Sequence, residues 1–205
     1  ADPGLAFVMG QVAARQGDEA AAAVQFRKTL SLREDFLPAR HALLDAATKK
    51  GAWGGVAEHA AAILKADPDN ARVHLAHGVA LPHLGKPDEA LEAFARAQKH
   101  GGERLPEVRL ARGVLYARVK GECEPALAEL KAYQRAVPVM PDAAQVTKLV
   151  RDCEQVLEEN RKAVEAARQM QADAQRQAAE KAAREQKAPA GEGGAAPTSA
   201  PPPPR

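Results

Sequence analysis

Three glycines, Gly17, Gly51 and Gly85, stand 34 residues apart, and each opens a helix-like run. The runs are GDEAAAAVQFRKTL, GAWGGVAEHAAAILKA and GKPDEALEAFARAQKH. Gly121, at the head of KGECEPALAELKAYQRA, follows 36 residues after Gly85, so one or two residues have been inserted there. Self-similarity at a fixed period of this length is the mark of a chain built as a stack of like units. Other positions keep the same phase. Gly10, Leu44, Gly78 and Gly113 share a slot early in each unit, and Ala22, Ala90 and Ala126 share one after the turn. Phe26, Phe94 and Leu130 follow four residues later, while Pro68 and Pro138 close two of the units.

Each slot has a physical reason. A glycine at the turn adopts positive φ at little cost. A glycine or alanine on facing helix surfaces lets two helices approach closely. The aromatics then fill the space between one hairpin and the next. Alanine supplies much of the 45% hydrophobic content and aromatics only 3%, which suits close-packed helices better than one deep core. The pattern predicts helices at 4–15, 19–32, 37–50, 53–66, 71–84, 87–100, 105–119 and 122–136. Pro38, Pro87 and Pro125 fall in first turns, where proline costs little. Pro82 falls inside a predicted helix and should kink or shorten it, because it removes a backbone donor and clashes one turn back.

These spacings resemble the tetratricopeptide repeat (TPR) family over Leu5 to Val137. The match is fullest in the third unit (Gly78, Gly85, Ala90, Phe94, Ala97). It is weakest in the second, where Val56 and Ala60 replace the alanine and aromatic, and the family's early tryptophan is missing throughout. The resemblance implies an all-α, right-handed solenoid of about four hairpins whose first helices line a concave groove. Carried onto this chain, the groove positions are Phe7 and Gln11, then His41, Asp45 and Lys49. Arg72, Leu75, Val79 and His83 follow, and lastly Leu110, Val114 and Arg118. Chaperone-binding members hold a terminal carboxylate with Lys and Asn at slots that here carry Phe7, His41, Leu75 and Leu110, then Gln11, Asp45, Val79 and Val114. That clamp is therefore absent. The mixed apolar floor, edged by Lys49, Arg72 and Arg118, suits an amphipathic helix or an extended peptide.

Residues 1–140 thus read as the repeat array, 141–187 as a capping and extended helix, and 188–205 as a Pro/Ala/Gly tail expected to be disordered, because it cannot bury enough apolar surface to offset chain entropy. In the second segment Val146, Leu149, Val150, Cys153, Val156 and Leu157 make one helical stripe, expected to cover the last repeat over 141–158. Beyond Asn160 the large apolar residues thin to Val164 and Met170, which predicts a solvated helix or, less simply, one paired with a partner helix. The PPPP run reads as a linker end or as a polyproline ligand. Cys123 and Cys153 should sit at similar height on antiparallel helices, since each is about 21–24 Å from the turn near Val139. A disulfide and a pair of buried thiols are both compatible with that placement.

No chemistry-bearing motif emerges. Gly85-Lys86 is followed by Pro87 rather than Ser or Thr, so it is no phosphate loop. His74 and His77 share a helix face, but no carboxylate or cysteine nearby in sequence completes a metal set, and both read as packing residues. No catalytic, cofactor or metal residues are assigned. The net charge of +2, from 29 basic and 27 acidic residues, argues against a dedicated nucleic-acid surface. No apolar run is long enough to span a membrane. The expected function is a non-catalytic scaffold that binds a protein partner within a larger complex. In style the sequence resembles TPR lipoproteins of myxobacterial cell envelopes, including those of gliding motility. That resemblance implies the periplasm, or the periplasmic face of the outer membrane with a lipid anchor upstream, and otherwise the cytoplasm. An assembly factor for a type IV pilus or secretion pore, and a regulatory domain of an enzyme, are the alternatives.

Overall fold

The computed structural model describes residues 2–187, with side chains to residue 184, and every regular element among them is helical. The expectations for the 188–205 tail lie outside the described residues. Eight helices make four hairpins: α1 (Pro3–Arg15) with α2 (Glu19–Leu32), α3 (Leu37–Lys50) with α4 (Trp53–Ala66), α5 (Ala71–Ala80) with α6 (Pro87–Gly101), and α7 (Glu107–Leu115) with α8 (Cys123–Ala136). A ninth, α9, runs unbroken from Ala143 to Lys187. The predicted helix positions hold to within one or two residues, except at the ends of α5 and α7.

Local chemistry sets the boundaries. The Asp2 carboxylate accepts from the Gly4 N–H and Asp18 from the Ala21 N–H, both at 2.8 Å, while Asn70 caps α5 through the Val73 N–H. Each hairpin turn ends in a left-handed glycine: Gly17, Gly51, Gly85 and Gly121 have φ of 82°, 65°, 76° and 70°. Gly85 thus closes a helix, and Lys86 beside it pairs with Glu89 at 2.9 Å.

The hairpins close tightly. A Cβ added to Gly10 would lie 2.6 Å from the Phe26 ring, one on Gly78 2.5 Å from Phe94, and one on Gly113 2.7 Å from Leu130. The aromatic is therefore seated on its own hairpin's glycine, and from there it reaches the next hairpin. Phe26 joins Ala39 and Leu43, and Phe94 joins Leu105 and Val108. In the second unit the bulk has moved across the interface, so that Leu44 fills the space against Ala60.

The chain divides into two units at Leu157–Glu158. In the first, Val146, Val150 and Cys153 of α9 are buried, and Val146 and Val150 pack with Leu130 and Tyr133 of α8, as the stripe predicts for a cap. In the second, residues 159–184 are exposed on every side, and Glu158 pairs with Arg161 at 2.6 Å and Lys162 at 3.5 Å. That is a solvated helix held by propensity and i,i+3/i,i+4 pairs.

Candidate functional site: an apolar groove between two irregular turns

Two helices of the array end irregularly. Pro82 cannot donate to the Gly78 carbonyl, so α5 stops at Ala80 and the chain tightens into a 3-10 turn over Leu81–Leu84. The Gly85 N–H then reaches the Pro82 carbonyl at 3.1 Å and the Lys86 N–H reaches Leu81 at 3.0 Å. In the next unit α7 stops at Leu115 and widens into a π turn over Tyr116–Lys120. The cause is legible by count. Gly113 and Gly121 are eight residues apart, where Gly10–Gly17 and Gly78–Gly85 are seven apart. One extra residue per turn is what a π turn absorbs. The other inserted residue lies in the α6–α7 connection, which makes a 3-10 turn at Gly102–Arg104.

Between these turns lies a groove of about 630 Å³. Leu75, Val79, Pro82 and His83 form one wall. Leu110, Ala111, Val114, Leu115, Arg118 and Val119 form the other, and Phe94 is at the floor. Glu107 closes the lining, and the rest is mostly aliphatic. Val119, at the rim, is 51% exposed. His83 is stacked on the chain's single tryptophan, Trp53, with centroids 4.1 Å apart and planes 5° apart. Outside the groove Lys120, on the π turn, reaches Asp88 at the start of α6 at 2.8 Å, and that hydrogen bond raises its pKa.

Of the twelve expected groove residues, the structure brings six together here: Leu75, Val79, His83, Leu110, Val114 and Arg118. Gln11, Asp45 and Lys49 line a separate hollow of about 300 Å³ with Arg15 and Glu19, where charges of both signs meet. Phe7 is taken up by its own rings, 5.6 Å from Phe26 and 5.1 Å from Phe36. His41 and Arg72 line neither space. Ala111 and Val119 escape a strict 34-residue register, and the eight-residue glycine spacing is the signal that points to Val119.

The histidines on the opposite wall of α5 act as packing groups. His74 is buried and its Nε2 donates to the Pro68 carbonyl at 2.7 Å, while His100 approaches Asp69 at 3.5 Å. Burial lowers the pKa of His77. Among the described residues no group of His, Cys, Asp and Glu is arranged to hold a metal ion. Cys123 of α8 and Cys153 of α9 meet within hydrogen-bond reach, with both thiols free in this structure. Burial, helped by a hydrogen bond with Cys123, pushes the Cys153 thiol up to about 12, which keeps it protonated.

Four like hairpins, left-handed glycines in phase and glycine-on-aromatic closures define a tetratricopeptide-type solenoid. The chain belongs to the bacterial transcriptional activator domain family, whose description matches residues 2–107. Solved structures agree on the fold. The chain is similar to the MamA protein at 17% identity, with 77% of this chain and 85% of MamA covered and a TM-score of 0.66. It is also similar to YrrB, described as a TPR protein with an unusual peptide-binding site, at 19% identity, with 77% and 78% covered and a TM-score of 0.62. No curated protein matches the sequence.

Proposed function

We propose that this chain is a non-catalytic interaction scaffold whose apolar groove holds an amphipathic helix or extended peptide of a protein partner. The observation that carries the reading is the groove itself. It is a concave aliphatic surface between two irregular helix ends, and such ends concentrate at functional sites. A ligand here would be anchored by aliphatic side chains, with Arg118 and His83 beside them for polar or acidic groups. YrrB, of the same fold, is described as having a peptide-binding site, which supports the class of ligand.

Two settings follow from different observations. The style of the sequence favours a bacterial envelope machine of the gliding-motility kind. The family match favours a second setting, an interaction module of a transcriptional regulator. Cell fractionation with an antibody to the chain separates the two, since membrane and periplasmic recovery supports the first and cytoplasmic recovery the second.

The groove is tested by partner recovery after cross-linking in the native cell, with wild type, Val79→Asp and Val114→Asp compared. Loss of one partner band in both variants is expected, with Trp53 emission shifting when the purified partner segment is added. Equal recovery from all three overturns the groove as the site.

A further inference from the structure

His74 and His77 of α5 line a hollow of about 560 Å³ between α4 and α6, on the wall away from the apolar groove. The next hairpin shows what such a wall can hold. His74 and His77 stand four and one residues before Gly78, and Arg109 and Arg112 stand four and one residues before Gly113. Across from each pair is the residue that precedes the closing side chain, Ala93 before Phe94 and Glu129 before Leu130. In the fourth hairpin the Glu129 carboxylate lies between the two guanidiniums, 3.0 Å from Arg112 and 3.8 Å from Arg109. The first two hairpins also put a long polar side chain in this slot, Gln25 and His59. The third has alanine there, and the hollow takes the space that the longer side chain would fill. Two imidazoles thus stand where the fourth hairpin has two guanidiniums, and the carboxylate that answers them is missing from the chain itself.

We propose that this hollow binds a carboxylate on a short aliphatic arm, an acidic side chain of a protein or a free small acid, in the place that Glu129 fills one hairpin later. Shape and charge both select this ligand. Ala61, Leu64, Leu81 and Ala93 give the arm an apolar seat. The lining also holds Lys65, Arg96 and Lys99 against Glu89 and Glu92. Both of those carboxylates have cations of their own, Glu89 with Lys86 at 2.9 Å and Glu92 with Arg96 at 3.9 Å. Lys65 and Lys99 have no carboxylate partner among the described residues, which leaves them for an incoming anion. His74 supplies the directional contact. It is buried and its Nε2 donates to the Pro68 carbonyl at 2.7 Å, so in the neutral ring Nδ1 carries no proton. A carboxylate at Nδ1 favours the imidazolium, which donates from both nitrogens in charge-assisted bonds. Binding therefore takes up a proton. His77 beside it has its pKa lowered by burial and then by His74, with Glu89 opposing, and an anion between the two rings works against that lowering. His100 already faces Asp69 at 3.5 Å and completes the rim.

Side-chain NMR of the histidines in the whole chain tests the site. The probes are butyrate and a blocked Ala-Ala-Glu-Ala-Ala peptide, at constant ionic strength set with chloride. Both should shift the His74 and His77 resonances saturably, with affinity falling about tenfold per pH unit above the imidazole pKa. Either order of the two affinities supports the site, and the order names the source: tighter peptide means a protein chain, tighter butyrate a free acid. Ala93→Glu supplies the carboxylate from within. It should abolish the response to both probes and keep the His74 ring charged to higher pH. The slot takes long side chains in the other three hairpins, so the fold should hold. His74→Gln is the second variant. Its amide can keep the bond to the Pro68 carbonyl, and binding should lose its pH dependence. The absence of a saturable shift with either probe overturns the site, as does a shift that chloride alone reproduces. So does undiminished binding in Ala93→Glu, or wild-type binding that is indifferent to pH.

Discussion

The ring of Phe94 occupies the place where a Cβ on Gly78 would be, with only 2.5 Å between them. The third hairpin is closed by that contact, and the ring has no freedom to withdraw, because Phe94 is 1% exposed among Ala90, Ala97, Leu105 and Val108. Gly78→Ala should therefore destabilise the array by about 1–3 kcal/mol through overpacking, despite alanine's better helix propensity. In a Phe94→Leu background the same change should cost much less. Urea unfolding of the four chains measures the coupling, and an additive result removes the closure as its cause.

The second hairpin reaches the same packing with the volumes exchanged, Leu44 against Ala60. Both residues are buried, at 4% and 0%. Leu44→Gly alone should open a cavity and lose helix propensity, and Ala60→Phe alone should overpack, each at about 2–5 kcal/mol. Together they rebuild the Gly78–Phe94 arrangement, and the double variant should be more stable than either single one. Thermal melts of the three variants decide it. A double variant less stable than both singles would show that the neighbouring hairpins, and not the pair, set the volume.

That exchange shows where sequence reading succeeds and where it stops. The glycines in phase foretell four hairpins and their left-handed turns, because only glycine takes positive φ cheaply and a repeat keeps it in register. Pro82 foretells the short α5 for an equally local reason, the missing N–H. The groove is less legible. His41 and Arg72 occupy the right register but miss both hollows, and Phe7 is lost to Phe26 and Phe36. Lining a cavity depends on how neighbouring helices are rotated, and a 34-residue period carries no record of that. The π turn is the exception, since the eight-residue Gly113–Gly121 spacing is written in the sequence and points to Val119. The thiols show a third limit. Equal height brings Cys123 and Cys153 together, but whether they bond is a redox question that spacing does not contain.

The two irregular turns shape the groove and can be straightened separately. Pro82→Ala restores a backbone donor and should let α5 run on toward Gly85. Fold stability should stay equal or rise by about 1 kcal/mol, since an interior proline costs a helix more than that. Deleting Val119 returns Gly113–Gly121 to seven residues and should convert the π turn to α-helix. Both changes should keep the helical circular dichroism spectrum and weaken partner binding by tenfold or more. Undiminished binding in both would mean that the aliphatic walls suffice without the irregular ends.

The Cys153 thiol is the group whose ionisation the fold opposes most clearly. Its pKa is raised from 9.0 to about 12, chiefly by burial and then by its hydrogen bond with Cys123. An unfolded chain would lose that proton near 9, so the contribution to stability is complete below pH 9 and is lost as pH climbs toward 12. Reactivity follows the same sign, because only the thiolate attacks. With an aromatic disulfide reagent at pH 8, the half-buried Cys123 should react first. Cys153 should react slowly, at a rate that rises when urea opens the fold. Replacing Cys153 with serine should leave one fast thiol, and replacing Cys123 should leave one slow one. Two equally fast thiols in the native chain would show that α9 does not shield this site. Failure of either thiol to react without reductant would show that the pair is already bridged.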